Sequence, residues 1–350
     1  MQATYKKYVL DFKRPSGTSR GVLTQKETWF LILKDNERFG IGECGLLKGL
    51  SVDDVGQYEE KLKWVCDNVD KGKDALWLAL TEFPSIQFGV EQAFLSFRSD
   101  DPFTLFPSDF INKERPIAIN GLIWMGDEGF MHQQIEQKLA EGFRCIKMKI
   151  GAIDFSSEIC LIESIRKKFD RSQVELRVDA NGAFDVNLAL EKLRILAQFE
   201  LHSIEQPIKK GNALKMKYLC DHSPLSIALD EELIGIFDLA KKRELLQTIQ
   251  PQYIILKPSL IGGYRGSAEW IKLADEMKIG WWVTSALESN IGLNAISQWT
   301  FGLQNNMYQG LGTGGLYTNN IESPLTVANG QLFYNKNRSW QINLIHRLCI

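Results

Sequence analysis

From residue 116 onward, short apolar runs alternate with stretches in which apolar residues recur at helical spacing. The short runs predict buried strands, and the amphipathic stretches predict helices between them. The predicted strands are 117–121, 145–150, 174–179, 203–205, 226–230, 253–257, 281–285 and 308–311. Eight strands alternating with helices at a nearly constant repeat predict an α/β fold of the (β/α)8-barrel (TIM) type. A doubly wound sheet is the competing fold, but no glycine-rich turn follows the first strand.

The first 114 residues follow a different pattern. Alternating apolar and polar positions in 8–12, 28–33 and 38–43 predict a meander of antiparallel strands. Two amphipathic helices follow, and Asp53 is a suitable cap for the first. Residues 1–114 are therefore predicted to form a small α+β domain.

Composition and charge narrow the classes of function. A formal net charge of −2 over 350 residues gives no electrostatic footprint for nucleic acid or an anionic membrane. Neither a targeting pattern nor an apolar run of bilayer-spanning length is evident. The six cysteines form no C-x-x-C pair and are predicted to be reduced thiols. The sequence thus predicts a cytoplasmic globular protein, and it does not indicate an oligomeric state.

Two lysines lie within the apolar run 145–150. Successive side chains of a strand point to opposite faces, so Lys147 and Lys149 point the same way. Two ammonium groups on one face of a buried strand repel each other and resist burial. Taken alone, the pair is more simply explained by a solvated edge strand, but the residues that end the following strands favour a functional site.

Acidic residues end the next three strands, and a lysine ends the fourth. Asp179, Glu205, Asp230 and Lys257 are separated by 26, 25 and 27 residues, which is one βα unit each time. In a barrel these strand ends converge on one mouth, where active sites lie. A single acid there is commonly a helix cap, but three inward carboxylates need a compensating cation. Hard oxygen ligands suit Mg²⁺, and Mn²⁺ would accept the same set.

Five short motifs at these strand ends resemble the enolase superfamily, muconate-lactonising-enzyme subgroup. They are Lys147-x-Lys149, Arg177-x-Asp179-x-Asn181, Glu205-Gln206-Pro207, Asp230-Glu231 and Leu256-Lys257-Pro258. Within the subgroup, residues 177–181, 259–263 and 284–289 are similar to the o-succinylbenzoate synthase family. The resemblance spans the barrel and implies three parts: a capping domain over 1–114, a catalytic barrel over 115–316, and a C-terminal segment, 317–350, that completes the cap.

The resemblance implies a Mg²⁺-dependent lyase that removes a proton α to a carboxylate and stabilises the resulting enediolate. The implied reaction is the syn-dehydration of 2-succinyl-6-hydroxy-2,4-cyclohexadiene-1-carboxylate to 2-succinylbenzoate in menaquinone biosynthesis. Lys149 is predicted to be the general base and to return its proton to the departing hydroxyl. Lys147 is predicted to favour the neutral form of Lys149 through its positive charge. Lys257, across the site, is predicted to stay charged and to stabilise the enediolate.

Five further residues are predicted to bind the small-molecule carboxylate substrate: Arg177, Gly262, Thr284, Ser285 and Gly312. Arg177 shares a strand face with Asp179, and a buried ion pair with an acid is its alternative role. Thr284 and Ser285 are placed to hold a succinyl carboxylate, although capping of the next helix explains them nearly as well. Residues 310–315 fit G-x-G-x-x-G, but their place at the eighth strand favours carboxylate binding over dinucleotide binding.

The polar segment 14–21 interrupts the N-terminal strands and is predicted to be a loop. It could close over the barrel mouth and bring Ser19 or Arg20 to the substrate. A mobile surface loop is an equally good interpretation.

Three alternative functions remain open from the sequence. The first is a racemase of N-succinylamino acids or an epimerase of dipeptides, in which Lys149 and Lys257 act on opposite faces of one carbon. Dipeptide epimerases of the subgroup carry Asp-x-Asp at the eighth strand, where this chain has Gly310-Leu311-Gly312. A non-catalytic carboxylate-binding barrel is the second, and a Schiff-base aldolase that uses Lys257 is the third.

Overall fold

The computed structural model describes residues 1–18, 21–35 and 38–349, and its N-terminal part is an antiparallel sheet. Strands β1 (Gln2–Thr18), β2 (Gly21–Asp35) and β3 (Arg38–Cys44) lie in that order. The prediction of a loop from residue 14 is wrong, because residues 14–18 belong to β1. A register shift follows Asp11, and Ser16 then pairs with Leu23. Ser19 and Arg20, the predicted substrate contacts of this segment, lie outside the described residues.

Helices cover one face of this sheet. They are α1 (Tyr58–Asp67), α2 (Lys73–Ala79) and α3 (Pro84–Arg98). The short helix α4 (Asp109–Asn112) follows, and its Phe110 and Ile111 pack with residues of the barrel instead. Helix α3 lies so close to β3 that a Cβ atom at Gly42 would be 2.0 Å from the carbonyl oxygen of Gly89. Only glycine permits two backbones to approach this closely. The glycines therefore let α3 pack directly on the sheet and bury apolar side chains such as Leu31 and Val90.

The predicted first barrel strand, 117–121, is divided in the structure. β4 (Ile117–Ala118) pairs antiparallel with residues 331–332, whereas β5 (Gly121–Ile123) begins a parallel sheet. The next strands of that sheet are β6 (Cys145–Lys149), β7 (Glu175–Asp179), β8 (Ser203–Glu205), β9 (Ile227–Leu229), β10 (Tyr253–Leu256) and β11 (Gly280–Val283). Seven consecutive parallel strands confirm the predicted α/β repeat.

Helices connect these strands and bury their apolar sides against the sheet, as a parallel sheet requires. They are α5 (Glu128–Ala140), α6 (Phe155–Lys168), α7 (Ala189–Ala197), α8 (Ala213–His222), α9 (Leu239–Ile249), α10 (Gly263–Met277) and α11 (Asn290–Gly302). Among the described residues, no helix combines the length and the apolar character needed to cross a membrane.

Two single bridges join the ends of the curled sheet. The predicted eighth strand, 308–311, is reduced to Gln309, which bridges to Ile119, and Gly310, which bridges to Thr284. The amide of Gln309 donates to Ala118 O at 2.9 Å, and that of Gly310 donates to Val283 O at 2.8 Å. A Cβ atom at Gly310 would lie 2.3 Å from Oγ1 of Thr284, so glycine allows this contact. The barrel is therefore closed by backbone hydrogen bonds.

The C-terminal segment contacts both other parts of the chain. It contains β12 (Leu325–Ala328), β13 (Gln331–Tyr334) and α12 (Ile342–Cys349). β13 pairs with β4, and Tyr317 bridges to Phe12 of β1. Trp340 and Ile345 pack with Phe30 of the N-terminal sheet. The segment thus links the N-terminal sheet to the start of the barrel.

Glu43 at the end of β3 attaches the N-terminal sheet to helix α11. Its buried carboxylate accepts hydrogen bonds from the Ser289 and Gly292 amides, each at 2.9 Å, and from the Ser289 hydroxyl. A carboxylate at a helix N-terminus satisfies free N–H groups and complements the helix dipole. Lys26 lies 4.0 Å away and balances the charge.

Glu91 of α3 attaches the N-terminal part of the chain to helix α10 in the same way. It accepts hydrogen bonds from the amides of Tyr264 at 2.6 Å and Arg265 at 3.2 Å. Burial raises the pKa of Glu91 to about 7, although these hydrogen bonds oppose the shift. Two buried glutamates of the N-terminal part therefore anchor it on neighbouring barrel helices.

Candidate active site

The parallel register sets the predicted catalytic side chains at one level of the barrel. Lys149 pairs with Asp179, and Asp179 pairs with Glu205. Asp230 and Lys257 directly follow β9 and β10. Because residues two apart share a strand face, Lys147 points to the same side as Lys149. We call the side chains of Lys147, Lys149, Asp179, Glu205, Asp230 and Lys257 the floor.

Ammonium and carboxylate groups alternate across the floor. Lys147 Nζ donates to Oε2 of Glu205 and lies 3.0 Å from Oδ2 of Asp179. Lys149 Nζ lies 3.1 Å from the same Asp179 oxygen. At the far side, Lys257 Nζ donates to Asp230 and is 3.9 Å from Oε1 of Glu205. The structure thus brings all three predicted lysines and all three predicted acids into one contiguous network.

Burial and neighbouring charges perturb this network strongly. Burial lowers the pKa of Lys147, but the carboxylates of Asp179 and Glu205 outweigh it and hold that pKa above its usual range. Burial raises the pKa of Asp179, but Lys147 and Lys149 outweigh it and hold that pKa well below its usual range. Burial and the charge of Asp179 raise the pKa of Glu205 to about 8, and burial also raises the pKa of Asp230. An additional cation would therefore stabilise the ionised forms of these two acids.

The donor set of the floor fits a hard divalent cation such as Mg²⁺ or Mn²⁺. Oε1 of Glu205 is buried and has no hydrogen-bond partner among the described residues. A buried carboxylate oxygen without a partner is unfavourable, and a bound cation would satisfy it. Within the described ranges, no three His, Cys, Asp or Glu side chains are already arranged to hold a metal ion. The Lys147 ammonium group contacts both Asp179 and Glu205 in this structure.

A cavity of about 400 Å³ lies directly above the floor. Thr284, Ser285 and Gly312, three of the predicted substrate-binding residues, form part of its wall. The Ser285 and Thr313 hydroxyls are 2.6 Å apart and present a polar edge. Five apolar residues of one cluster also line the cavity, and we call them the roof: Leu23, Leu47, Trp124, Leu287 and Leu316. The cavity therefore joins a charged floor to an apolar roof.

Two residues predicted to bind substrate lie elsewhere. Arg177 is buried on the inner face of β7, where its Nε donates to Glu175 at 2.7 Å and its guanidinium lies 4.2 Å from the Trp282 ring. Gly262 begins α10 with φ of +95°, and its carbonyl accepts a hydrogen bond from the Trp77 indole. Neither residue lines the cavity. The buried ion pair is the role that the structure supports for Arg177.

Two residues beside the floor, Asn181 and Glu231, had no predicted role. Asn181 Oδ1 accepts a hydrogen bond from Lys149 at 2.7 Å, and its Nδ2 donates to Glu231 at 3.0 Å. Asn181 has φ of +44°, a left-handed conformation that asparagine tolerates better than most residues. Asn181 lies two positions after Asp179, and Glu231 lies one position after Asp230, within the motifs quoted above. Their position beside a floor acid is the signal that could have identified them.

Two family models match the chain. The model described as "Enolase C-terminal domain-like" matches residues 131–336, and the one described as "MenC, N-terminal domain" matches residues 2–97. The first match includes every residue of the floor. The second covers the N-terminal sheet and most of helix α3.

Individual proteins and solved structures that resemble this chain agree with the two family models. The o-succinylbenzoate synthase of Desulfotalea psychrophila is 46% identical over 95% of this chain and 98% of that protein. The crystal structure of MenC from Desulfotalea psychrophila has a TM-score of 0.84 at 44% identity, covering 95% of this chain and 99% of that chain. A muconate lactonizing enzyme from Pseudomonas fluorescens, at 21% identity, has the same fold, with a TM-score of 0.81 and coverage of 99% and 98%.

Proposed function

Because the chain belongs to the o-succinylbenzoate synthase family of the enolase superfamily, we propose that it is a lyase of menaquinone biosynthesis. Its reaction is the dehydration of 2-succinyl-6-hydroxy-2,4-cyclohexadiene-1-carboxylate to 2-succinylbenzoate. The observation that carries this proposal is 46% identity to an o-succinylbenzoate synthase over almost the whole length of both chains. The cavity agrees with it, since a small apolar ring with carboxylates matches an apolar roof above a cationic and polar floor.

Asp179, Glu205 and Asp230 are proposed to hold Mg²⁺, with Mn²⁺ as a substitute. When bound, the ion polarises the substrate carboxylate and stabilises negative charge that develops on its oxygens. Enolase superfamily members generally depend on Mg²⁺, and the orphaned oxygen of Glu205 supports the ligand assignment. Lys147, which contacts Asp179 and Glu205, balances these acids from the protein side.

Lys149 is proposed to be the general base. It takes the proton from the carbon α to the carboxylate, and the electron pair of that C–H bond enters the enediolate. The same ammonium group then protonates the hydroxyl on that face, so the C–O bond breaks, water leaves and the ring becomes aromatic. Asn181 accepts a hydrogen bond from Lys149 at 2.7 Å, and this contact fixes where Nζ lies.

Lys257 is proposed to remain charged and to stabilise the enediolate from the other side of the cavity. Its pKa is lowered by burial but raised more by Asp230 and Glu205, so it stays above its usual range. Thr284, Ser285 and Gly312 are proposed to bind the succinyl carboxylate, since they line the cavity beside the floor. Arg177 and Gly262 are not part of this proposal.

Racemisation of N-succinylamino acids is a second candidate, because Lys149 and Lys257 both line the cavity. Proton exchange at one carbon from opposite faces would need two such lysines. The high identity to a synthase favours dehydration as the main reaction.

We also propose that the chain is divided into three parts and that it lies in the cytoplasm. Residues 1–114 and 317–350 are proposed to form the cap, and residues 115–316 the catalytic barrel. The bridge between Phe12 and Tyr317 and the packing of Trp340 on Phe30 support joining both ends of the chain in one cap. Five free cysteines among the described residues agree with a reducing compartment.

The test supplies the cyclohexadiene carboxylate with Mg²⁺ and follows formation of the aromatic product by its absorbance. We expect turnover by the natural chain and none by the Lys149→Ala variant. N-Succinylamino acids in deuterated water, followed by NMR, report α-proton exchange in parallel. Exchange without aromatisation would reject the proposed synthase activity and favour racemisation as the function.

A further inference from the structure

The loop after β11 forms a strained part of the cavity wall. Leu287 has φ of +63°, in the left-handed region that a branched side chain adopts rarely. The preceding residues Thr284, Ser285 and Ala286 line the cavity together with Leu287. Strain of this kind persists only where surrounding contacts hold it, and it concentrates at binding sites.

Two buried groups hold the loop in this conformation. The Tyr317 hydroxyl donates a hydrogen bond to the Leu287 carbonyl oxygen at 2.6 Å. The Glu288 carboxylate accepts one from the Ala286 amide at 2.7 Å and another from the Ser259 hydroxyl at 2.5 Å. Hydrogen bonds on both sides of Leu287 thus fix its backbone.

Tyr317 also contacts the N-terminal hairpin on the other side of the cavity. Its ring lies edge-on to Phe12, with centroids 4.7 Å apart, and its backbone bridges to the same residue. The next amide of β1, that of Lys13, donates to Leu316 O at 2.8 Å. Residues 13–16 of this hairpin line the cavity. Tyr317 therefore connects two walls that are far apart in sequence.

The side chain of Leu287 makes contacts that a glycine could not make. Glycine adopts a positive φ without strain, whereas a leucine at this position has a conformational cost. Its side chain packs with Leu10, Phe12 and Tyr317 and still reaches the cavity as part of the roof. An apolar contact with a bound ligand would offset the strain.

We propose that Leu287 determines specificity by contacting the ring of the bound substrate, and that Tyr317 is a positioning residue that holds Leu287 against it through the 2.6 Å hydrogen bond. The inference rests on the proposed synthase activity and deepens it. It concerns binding rather than proton transfer, because neither residue contacts the floor. Loss of either contact should therefore change KM and leave kcat nearly constant.

The first test is Tyr317→Phe, which keeps the ring and removes the hydroxyl. The Leu287 carbonyl then loses its buried partner, and we expect KM to rise about tenfold with kcat within about twofold. The matched control is Tyr264→Phe, because the Tyr264 hydroxyl is buried without a hydrogen-bond partner among the described residues. An unchanged KM for Tyr317→Phe, or an equal rise for the control, would overturn the inference.

A double-mutant cycle separates positioning from general packing. Leu287→Ala and Leu287→Gly both remove the apolar contact, so each should raise KM. Tyr317→Phe should raise KM in the natural background but add almost nothing in either variant, because the contact that it positions is already lost there. An increment in the two variants as large as in the natural chain would show that Tyr317 does not act through Leu287.

Two measurements keep the outcomes distinct. Absence of turnover by the natural chain would reject the proposed function, whereas turnover with unchanged KM in the variants would reject only this inference. If Tyr317→Phe does not fold, calorimetric binding of 2-succinylbenzoate to Leu287→Ala decides instead. We expect its Kd to rise about tenfold, and an unchanged Kd would overturn the role of Leu287.

Discussion

The floor and the roof of the cavity are built in opposite ways. The floor residues come from five successive strands of a repeated βα unit, in or directly after each strand. The roof combines Leu23 of the N-terminal hairpin, Leu287 of the loop after β11 and Leu316, which follows the eighth-strand position. The floor is charged and the roof apolar. The repeat thus determines where the charged residues of the floor lie, whereas the apolar roof depends on contacts between segments that are distant in sequence.

Removing the proposed base should produce the largest effect. In Lys149→Ala we expect kcat to fall by about 10³-fold or more, because alanine can neither accept the α-proton nor return it to the hydroxyl. Steady-state turnover measures this, with circular dichroism to confirm folding. Lys168→Ala, on an exposed helix position, is the matched control and should keep full activity. Substantial turnover in Lys149→Ala would remove this residue from the mechanism and break the assignment of chemistry to the floor.

A change in a proposed metal ligand should come next. Glu205→Gln removes one negative charge and one anionic ligand, so we expect Mg²⁺ affinity to fall by about 100-fold, with loss of turnover. Calorimetric titration with Mg²⁺ measures the affinity. Glu200→Gln at the surface serves as the control. Unaltered Mg²⁺ binding would exclude Glu205 as a ligand.

The attachment of the N-terminal part to helix α10 should respond to pH through Glu91. Its pKa is raised by burial from 4.5 to about 7 in the folded state, so the folded protein holds this proton more tightly. The contribution to stability is full below about pH 4.5 and declines as pH rises towards 7, by at most about 3 kcal/mol. Urea unfolding across this range should show a flatter pH dependence for Glu91→Gln than for the natural chain. Identical slopes would contradict the raised pKa.

Glu43→Gln should give the smallest effect and the sharpest contrast with the floor. The amide weakens three charge-assisted contacts to Ser289 and Gly292, and we expect the free energy of unfolding to fall by about 2 kcal/mol. Since Glu43 binds the start of the helix that follows the Leu287 loop, KM should rise more than kcat falls. Denaturant unfolding measures the stability, and steady-state kinetics measure KM and kcat. A selective loss of kcat would show that the N-terminal sheet acts on the chemistry itself.

The sequence predicted the floor well because its signals are local. Spacings of 26, 25 and 27 residues place Asp179, Glu205, Asp230 and Lys257 one repeat apart, and any parallel barrel then brings them together. Helix limits are less accurate: the apolar spacing predicts a helix over 236–246, whereas α9 spans Leu239–Ile249. Boundaries depend on capping contacts, such as Asp238 accepting from the Lys241 amide, which periodicity does not resolve.

The errors have physical causes. Pro15, Ser16 and Gly17 have the composition of a loop, but pairing resumes with β2 at Ser16 and Gly17 and extends the strand. For Arg177, a period of two predicts the face of the strand but not the depth within the barrel, and at its level Glu175 and Trp282 are the partners. The roof carries no motif, because an apolar residue has the same appearance in a core and in a cavity wall. Contacts such as Tyr317 with Leu287 become evident only in three dimensions.

Strands β1 and β4 have partners that come much later in the sequence. The Asp11 amide donates to Asn319, 308 residues later, and β4 pairs with β13. During synthesis on the ribosome, these strand edges therefore stay unpaired until residues 319 and 331–332 have emerged. Such distant contacts close slowly, and exposed strand edges invite aggregation. The unpaired edges of β1 and β4 are thus aggregation-prone surfaces of the nascent chain in that interval.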